Sequence, residues 1–185
     1  WYLEMIKPAL SQKGKEKEET LNTLIHTLDI SLRLLHPFMP FITEEIWQKL
    51  PKGDTLAVGR SIMIEPWPHV QKDIISKEAE RDMGILIEVI TAIRNIRSIW
   101  NIEPQRAIDV IINAHSAKDI SILTANADYI KRLSKTSNLT TGKHSKPKNS
   151  AVSVVKDFEV FVPLEGLIDF EKEKARLAKE MTRME

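Results

Sequence analysis

The sequence has no cysteine among its 185 residues. That absence excludes a disulfide framework, a thiolate zinc site and a cysteine nucleophile, and it suits a reducing cytosol. Excess charge of one sign is also missing. The 27 Lys and Arg stand against 26 Asp and Glu, a formal net charge of +1, so no global field draws the chain to nucleic acid or membrane. Any such role must be local. No apolar run approaches the roughly 20 residues that cross a bilayer, and the first residues lack the basic-then-apolar pattern of a secretory signal. A soluble, cytoplasmic protein without membrane contact is expected. What the chain does have is 42% apolar residues, enough for the core of one large or two small domains. Because it opens at Trp1 and stops at Glu185 inside a charged helical pattern, it is expected to be a piece of a longer protein.

Residues 17–35 place Leu21, Leu24, Ile25, Leu28, Leu32 and Leu35 at spacings of three and four, one apolar stripe on a helix. Trp1, Leu3, Ile6 and Leu10 suggest the end of an earlier helix, broken by the Gly14-containing stretch from Gln12 to Glu19. Pro37 stops the long helix and Pro40 opens a third, with Glu44 and Glu45 expected in its first turn at the positive end of the helix dipole. Phe38 and Phe41 are expected to wedge the corner between those helices. A fourth helix, about Ser76 to Asn101, is expected to bury Met83, Leu86, Val89, Ile90, Ile93, Ile96 and Trp100, and the four to pack as a bundle. Beyond Pro104 the pattern changes. Ile108 to Ile112 reads as a strand, Asp119 to Ser134 as short helices, and Ala151–Val155 with Phe158–Val162 as a hairpin turned by Lys156 and Asp157. Leu167, Phe170, Lys174, Leu177, Met181 and Met184 begin a heptad seam.

A search for chemistry returns little. The glycine and hydroxyl positions of a phosphate loop around Gly142 and Lys143 are filled by Ser137 and His144, and no histidine has a second one at i+3 or i+4. Adjacent acid pairs such as Glu18 with Glu19 diverge by about 100° on a helix. No catalytic residue and no metal site is expected. Binding features remain. Thr91, Arg94, Arg97 and Asn101 share a face of the fourth helix, with two guanidiniums one turn apart that can fork onto phosphate oxygens. From Tyr129 to Lys156 there are seven Lys or Arg and no acid, among them Lys143, Lys146 and Lys148, as a phosphate-following segment would have. Trp47, Trp67 and Trp100 can stack on bases, though apolar stripes claim Trp47 and Trp100 for the core.

Four strings are more specific than these patterns: His36-Pro37-Phe38-Met39-Pro40-Phe41-Ile42-Thr43-Glu44-Glu45-Ile46-Trp47, Ser61 through Pro68 with its Pro66-Trp67-Pro68, Ile93-Arg94-Asn95-Ile96-Arg97, and Val162 through Asp169. In order and spacing they closely resemble the C-terminal region of the valyl-tRNA synthetase family, class I aminoacyl-tRNA synthetases. The resemblance implies most of a helical anticodon-binding domain over residues 1–103, a small α+β subdomain over 104–163, and the start of a tRNA-binding coiled-coil arm over 164–185. The fold class expected is therefore mainly α. The resemblance further implies a ligase parent that uses ATP and magnesium to charge valine tRNA and edits mischarged threonine, and that is monomeric. The two catalytic signatures of the family are absent, so the fragment itself is expected to need no cofactor. Its expected partner is valine tRNA, with Arg94, Arg97 and Asn101 as groove contacts and Lys143, Lys146 and Lys148 as weaker phosphate contacts. Where the family usually has two prolines, a small residue and a lysine, this chain has Glu103-Pro104-Gln105-Arg106, and the carboxylate weighs against a phosphate contact from that turn. A competing expectation is a protein-interaction module that dimerises through the terminal heptads.

Overall fold

The computed structural model describes residues 1–11, 13–51 and 60–168, which divide between two compact units, Trp1–Ile75 and Ser76–Glu185. In the first unit the leucine-rich periodicity folds as α2, Lys15–Leu35, preceded by α1, Tyr2–Ser11, and followed by α3, Pro40–Gln48. Gly14 opens α2 at φ 119°, a conformation that side chains with a Cβ rarely adopt. Pro40 starts α3, where its missing N–H has no helical partner to lose.

What joins these helices is a polar relay as much as a core. Asp29 accepts from the Arg33 guanidinium at 2.6 Å and from the Trp47 indole at 2.7 Å, and Arg33 also donates to the carbonyl of Pro66 at 2.9 Å. Around that relay Leu32, Trp47 and Ile62 form a small buried cluster. Two expectations change here. Glu44 is not in the first turn of α3; its carboxylate accepts from Ser61 Oγ at 2.7 Å, Ile62 N–H at 3.1 Å and Gln48 at 2.6 Å, tying the helix to the segment after residue 60. Phe38 and Phe41 do not wedge a corner either. Phe38, in the turn between the two prolines, and Phe41, in the first turn of α3, are 83% and 90% exposed.

The second unit opens at Ser76, whose hydroxyl accepts from Ala79 N–H and caps α4, Lys77–Ile99. A four-stranded mixed sheet follows in the order β2-β1-β4-β3, with β1 at Ile108–Ala114, β2 at Thr136–Gly142, β3 at Ser150–Val155 and β4 at Phe158–Pro163. β1 and β2 are parallel, and α5, Ala117–Ala125, with α6, Ala127–Ser134, makes the crossover between them. The other two pairings are antiparallel, and Lys156 takes a left-handed φ of 50° in the two-residue turn from β3 to β4.

The mainly α expectation is corrected by these contacts. Within the second unit α4 packs on the sheet: Leu86, Val89, Ile90, Ile93 and Ile96 belong to one buried cluster with Ile108, Val110, Ile112, Val160 and Val162. The chain is an α/β protein with a mixed sheet. The strand that sequence reading missed is β2. Its sequence is mostly Thr, Ser and Asn, with Leu139 its one large apolar residue, so it shows no apolar alternation to read. Asp109 of β1 holds it by accepting from Ser137 and Asn138 side chains at 2.7 and 2.8 Å, and those bonds keep the Asp109 carboxyl below its usual range. Leu164 is buried, and Leu167 and Ile168 pack against the same core. The heptad expectation for Phe170 through Met184 lies outside the described residues.

Candidate nucleic-acid interface

The C-terminus of α4 shapes a cleft of about 510 Å³ lined by Arg94, Arg97, Ser98, Asn101, Glu103 and, from the α6–β2 junction, Lys135. A Schellman turn ends the helix. Ile102 N–H returns to Arg97 O at 2.9 Å and Asn101 N–H to Ser98 O at 3.2 Å, with Asn101 itself left-handed at φ 49°. Lys135 repeats the device, left-handed at φ 56°, its N–H bonded to Lys131 O. Two helix ends thus face one opening with exposed Asn101 and Lys135 at its rim.

The two arginines are used differently. Arg97 is 8% exposed, and its Nη2 donates to the carbonyls of Glu103 at 2.7 Å and Arg106 at 2.8 Å. Burial pushes that guanidinium below its ordinary value, yet an arginine remains charged at neutral pH. Arg94 is exposed on the same wall and forks through Nε and Nη2 onto Leu133 O at 3.0 and 2.7 Å. Both cations therefore meet the carbonyl ends that a helix and a turn leave unsatisfied.

Lys143, Lys146 and Lys148 do not reach this cleft. They are exposed in the loop from β2 to β3, at the opposite end of β2 from Lys135, about 25 Å along an extended strand. The loop is tied down at each end. His144 N–H donates to Asn113 Oδ1 at 3.1 Å while Asn113 donates to Glu159 at 2.6 Å, and Ser150 Oγ donates to Pro147 O at 2.8 Å. The sequence puts Arg94, Arg97 and Asn101 on one helix face and the three lysines in a separate basic stretch; in the fold the first three line the cleft and the lysines stand in the β2–β3 loop.

Residues that the sequence did not single out also matter. Lys135 sits at a helix end no periodicity marks. Arg33 stands one turn before His36 and four residues after Asp29, a spacing that signals a helical ion pair, and it lines a second pocket with His36, Pro37, Met63, Glu65 and Trp67. Among the described residues no three His, Asp or Glu side chains converge as metal ligands would.

Residues 1–112 match the family described as the anticodon-binding domain of tRNA ligase, and the chain belongs to that family. Over nearly its whole length it is similar to valine–tRNA ligases: 39% identical to that of Geobacillus stearothermophilus across 183 residues, 98% of this chain and 20% of the relative. The Bacillus subtilis enzyme is 40% identical across 186 residues, 100% of this chain and 21% of the relative, and the Thermotoga maritima enzyme 36% across 185 residues, 100% and 20%. The chain spans about a fifth of the length of the curated relatives it matches.

Proposed function

We propose that this chain is the anticodon-binding region of a valine–tRNA ligase and holds valine tRNA by its anticodon stem-loop. The observation that carries the reading is the match of residues 1–112 to the anticodon-binding family. Aminoacylation with valine, ATP and magnesium, removal of mischarged threonine, a monomeric state and a cytoplasmic location belong to the same proposal, for the longer enzyme. No step through ATP or magnesium is assigned to this chain.

Within that reading the cleft beside α4 takes the sugar-phosphate backbone. Arg94, Asn101 and Lys135 are its contacts, with Glu103 narrowing the approach. Arg97 acts as a positioning residue, since its guanidinium holds the turn that forms one wall. Lys143, Lys146 and Lys148 add phosphate attraction at the far end of β2. The test is titration of the chain with valine tRNA and with an anticodon-substituted transcript at two salt concentrations. Tighter binding of the cognate transcript at both is expected. Equal affinities that decay together with salt would reduce the reading to charge attraction. In the longer enzyme, R94A is expected to raise KM for tRNA and leave valine-dependent ATP exchange unchanged; a parallel fall in exchange would contradict the assignment.

A further inference from the structure

We infer that the outer edge of β3 takes up an extended peptide segment as a fifth strand, a segment in which apolar and basic side chains alternate. The inference goes beyond the anticodon reading, does not rest on it, and concerns the second unit alone. The sheet has two edges, and they are protected to different degrees. β2 has Leu139 as its one large apolar residue, and its register on β1 shifts between Ile108 and Val110. β3 carries no charge and no proline, and its register against β4 runs unbroken from Ser150–Pro163 to Val155–Phe158. On such an edge every second residue turns its N–H and C=O away from the sheet. Along it Val152 and Val154 are left 39% and 69% exposed.

The pleat gives the two sides of this edge different chemistry. Ala151 and Val155 pack into the core shared with α4, so Val152 and Val154 turn to the opposite face. On the α4 side a groove of about 290 Å³ runs beside the strand, lined by Ile87, Thr91, Ala92 and Asn95 of α4 with Ser153 and Val155. Small apolar side chains suit it. On the opposite face Glu159 pairs directly across from Val154. There a cavity of about 490 Å³ is lined by Val154, Lys156, Asp157 and Glu159, with His115 and Asp119 beyond. Its charges do not balance. Lys156 is taken by Glu88 at 2.8 Å, and Asp119 is matched by Arg81 at 2.9 Å. Asp157 and Glu159 are paired with no cation among the described residues; Glu159 accepts only from the neutral Asn113 amide.

The partner's pattern follows from these two faces. A residue added opposite Val154 stands two strand spacings, about 10 Å, from Glu159, and a lysine laid across the valine spans most of that distance. Two unmatched carboxylates favour a basic partner over an acidic one, while the groove beside α4 favours an apolar residue at each alternate position. Main-chain pairing supplies affinity in strand addition and the alternating side chains supply specificity.

The test uses the full chain and a fluorescein-labelled peptide, Lys-Val-Lys-Val-Lys-Val, followed by anisotropy. Saturable binding is expected, with amide exchange slowed across Ser150–Val155 and unchanged in β2. Two further probes carry N-methyl groups on the three valines or on the three lysines. One should bind and the other should not, because only alternate amides face β3. Glu-Val-Glu-Val-Glu-Val should bind about tenfold more weakly or worse. Asp157→Asn combined with Glu159→Gln should weaken the lysine peptide by about fivefold, with circular dichroism unchanged. If both methylated probes bind alike, only charge attraction is at work and the inference is overturned. It is equally overturned if the acidic peptide binds as tightly as the basic one. A doubled mass of the free chain in sedimentation, abolished by Val154→Lys, would make a second copy the occupant of the edge and overturn it too.

Discussion

Arg97 shows how little a residue's type says about its use. Two cations at i and i+3 on a helix next to a basic stretch suggest a phosphate clamp, yet one of them is buried and bonded to main-chain carbonyls. Hydrogen bonds to a charged group contribute about 1.5–3 kcal/mol each. R97A is therefore expected to lower the stability of the second unit by about 2–3 kcal/mol in urea titrations, and R97K to recover little, because an ammonium cannot fork across separate carbonyls. Its partners are backbone atoms, so residues 103 and 106 can vary without disturbing the contact while position 97 cannot. Asn101 separates cap from contact in a similar way. N101G suits the left-handed turn and should keep stability unchanged or raise it, whereas N101A should cost about 1 kcal/mol. If N101G weakens RNA binding at full stability, the lost amide was touching RNA.

Single elements carry two further expectations. Glu44 fastens α3 to the segment after residue 60, and the hydrogen bonds from Gln48 and Ser61 hold its carboxyl below its ordinary value of 4.5. A carboxyl depressed on folding stabilises the native state above its unfolded value and loses that contribution as pH falls through the folded one. The gap in urea midpoint between wild type and E44Q should thus be complete at pH 7, begin to shrink below about pH 4.5 and close in stronger acid. The β2–β3 loop makes a salt prediction. Replacing Lys143, Lys146 and Lys148 with Gln should reduce the slope of log affinity against log salt by about 2, since each phosphate contact adds roughly 0.7–0.9. Elements were legible where burial imposed a period. α2, α4, β1 and the hairpin follow the spacing of their apolar residues, whereas β2 is an edge strand whose pairing with β1 leaves no such trace. Of the candidate site, spacing made the shared face of Arg94, Arg97 and Asn101 legible but not what each arginine does, because the main-chain carbonyls that decide it have no letter in a sequence.

At the scale of the chain, the two units differ in how much they bury. The second organises α4, the sheet and α6 around one continuous core, while the first has a buried cluster of Leu32, Trp47 and Ile62 and leaves Leu21, Leu28 and Leu35 of α2 more than a third exposed. Amide exchange is accordingly expected to be slower in α4, β1 and β4 than in α2, and mass-resolved exchange of peptides from each region checks this. The α4 stripe reads identically whether it meets helices or a sheet, so residue spacing found the helix and not its partner. That ambiguity has a practical side for anyone shortening the polypeptide. The family match ends at residue 112, inside β1, between two residues that pair with β4. A truncation there would leave α4 with its apolar side turned to water and insolubility as the outcome, whereas a cut between Ile75 and Ser76 severs no helix or strand of either unit.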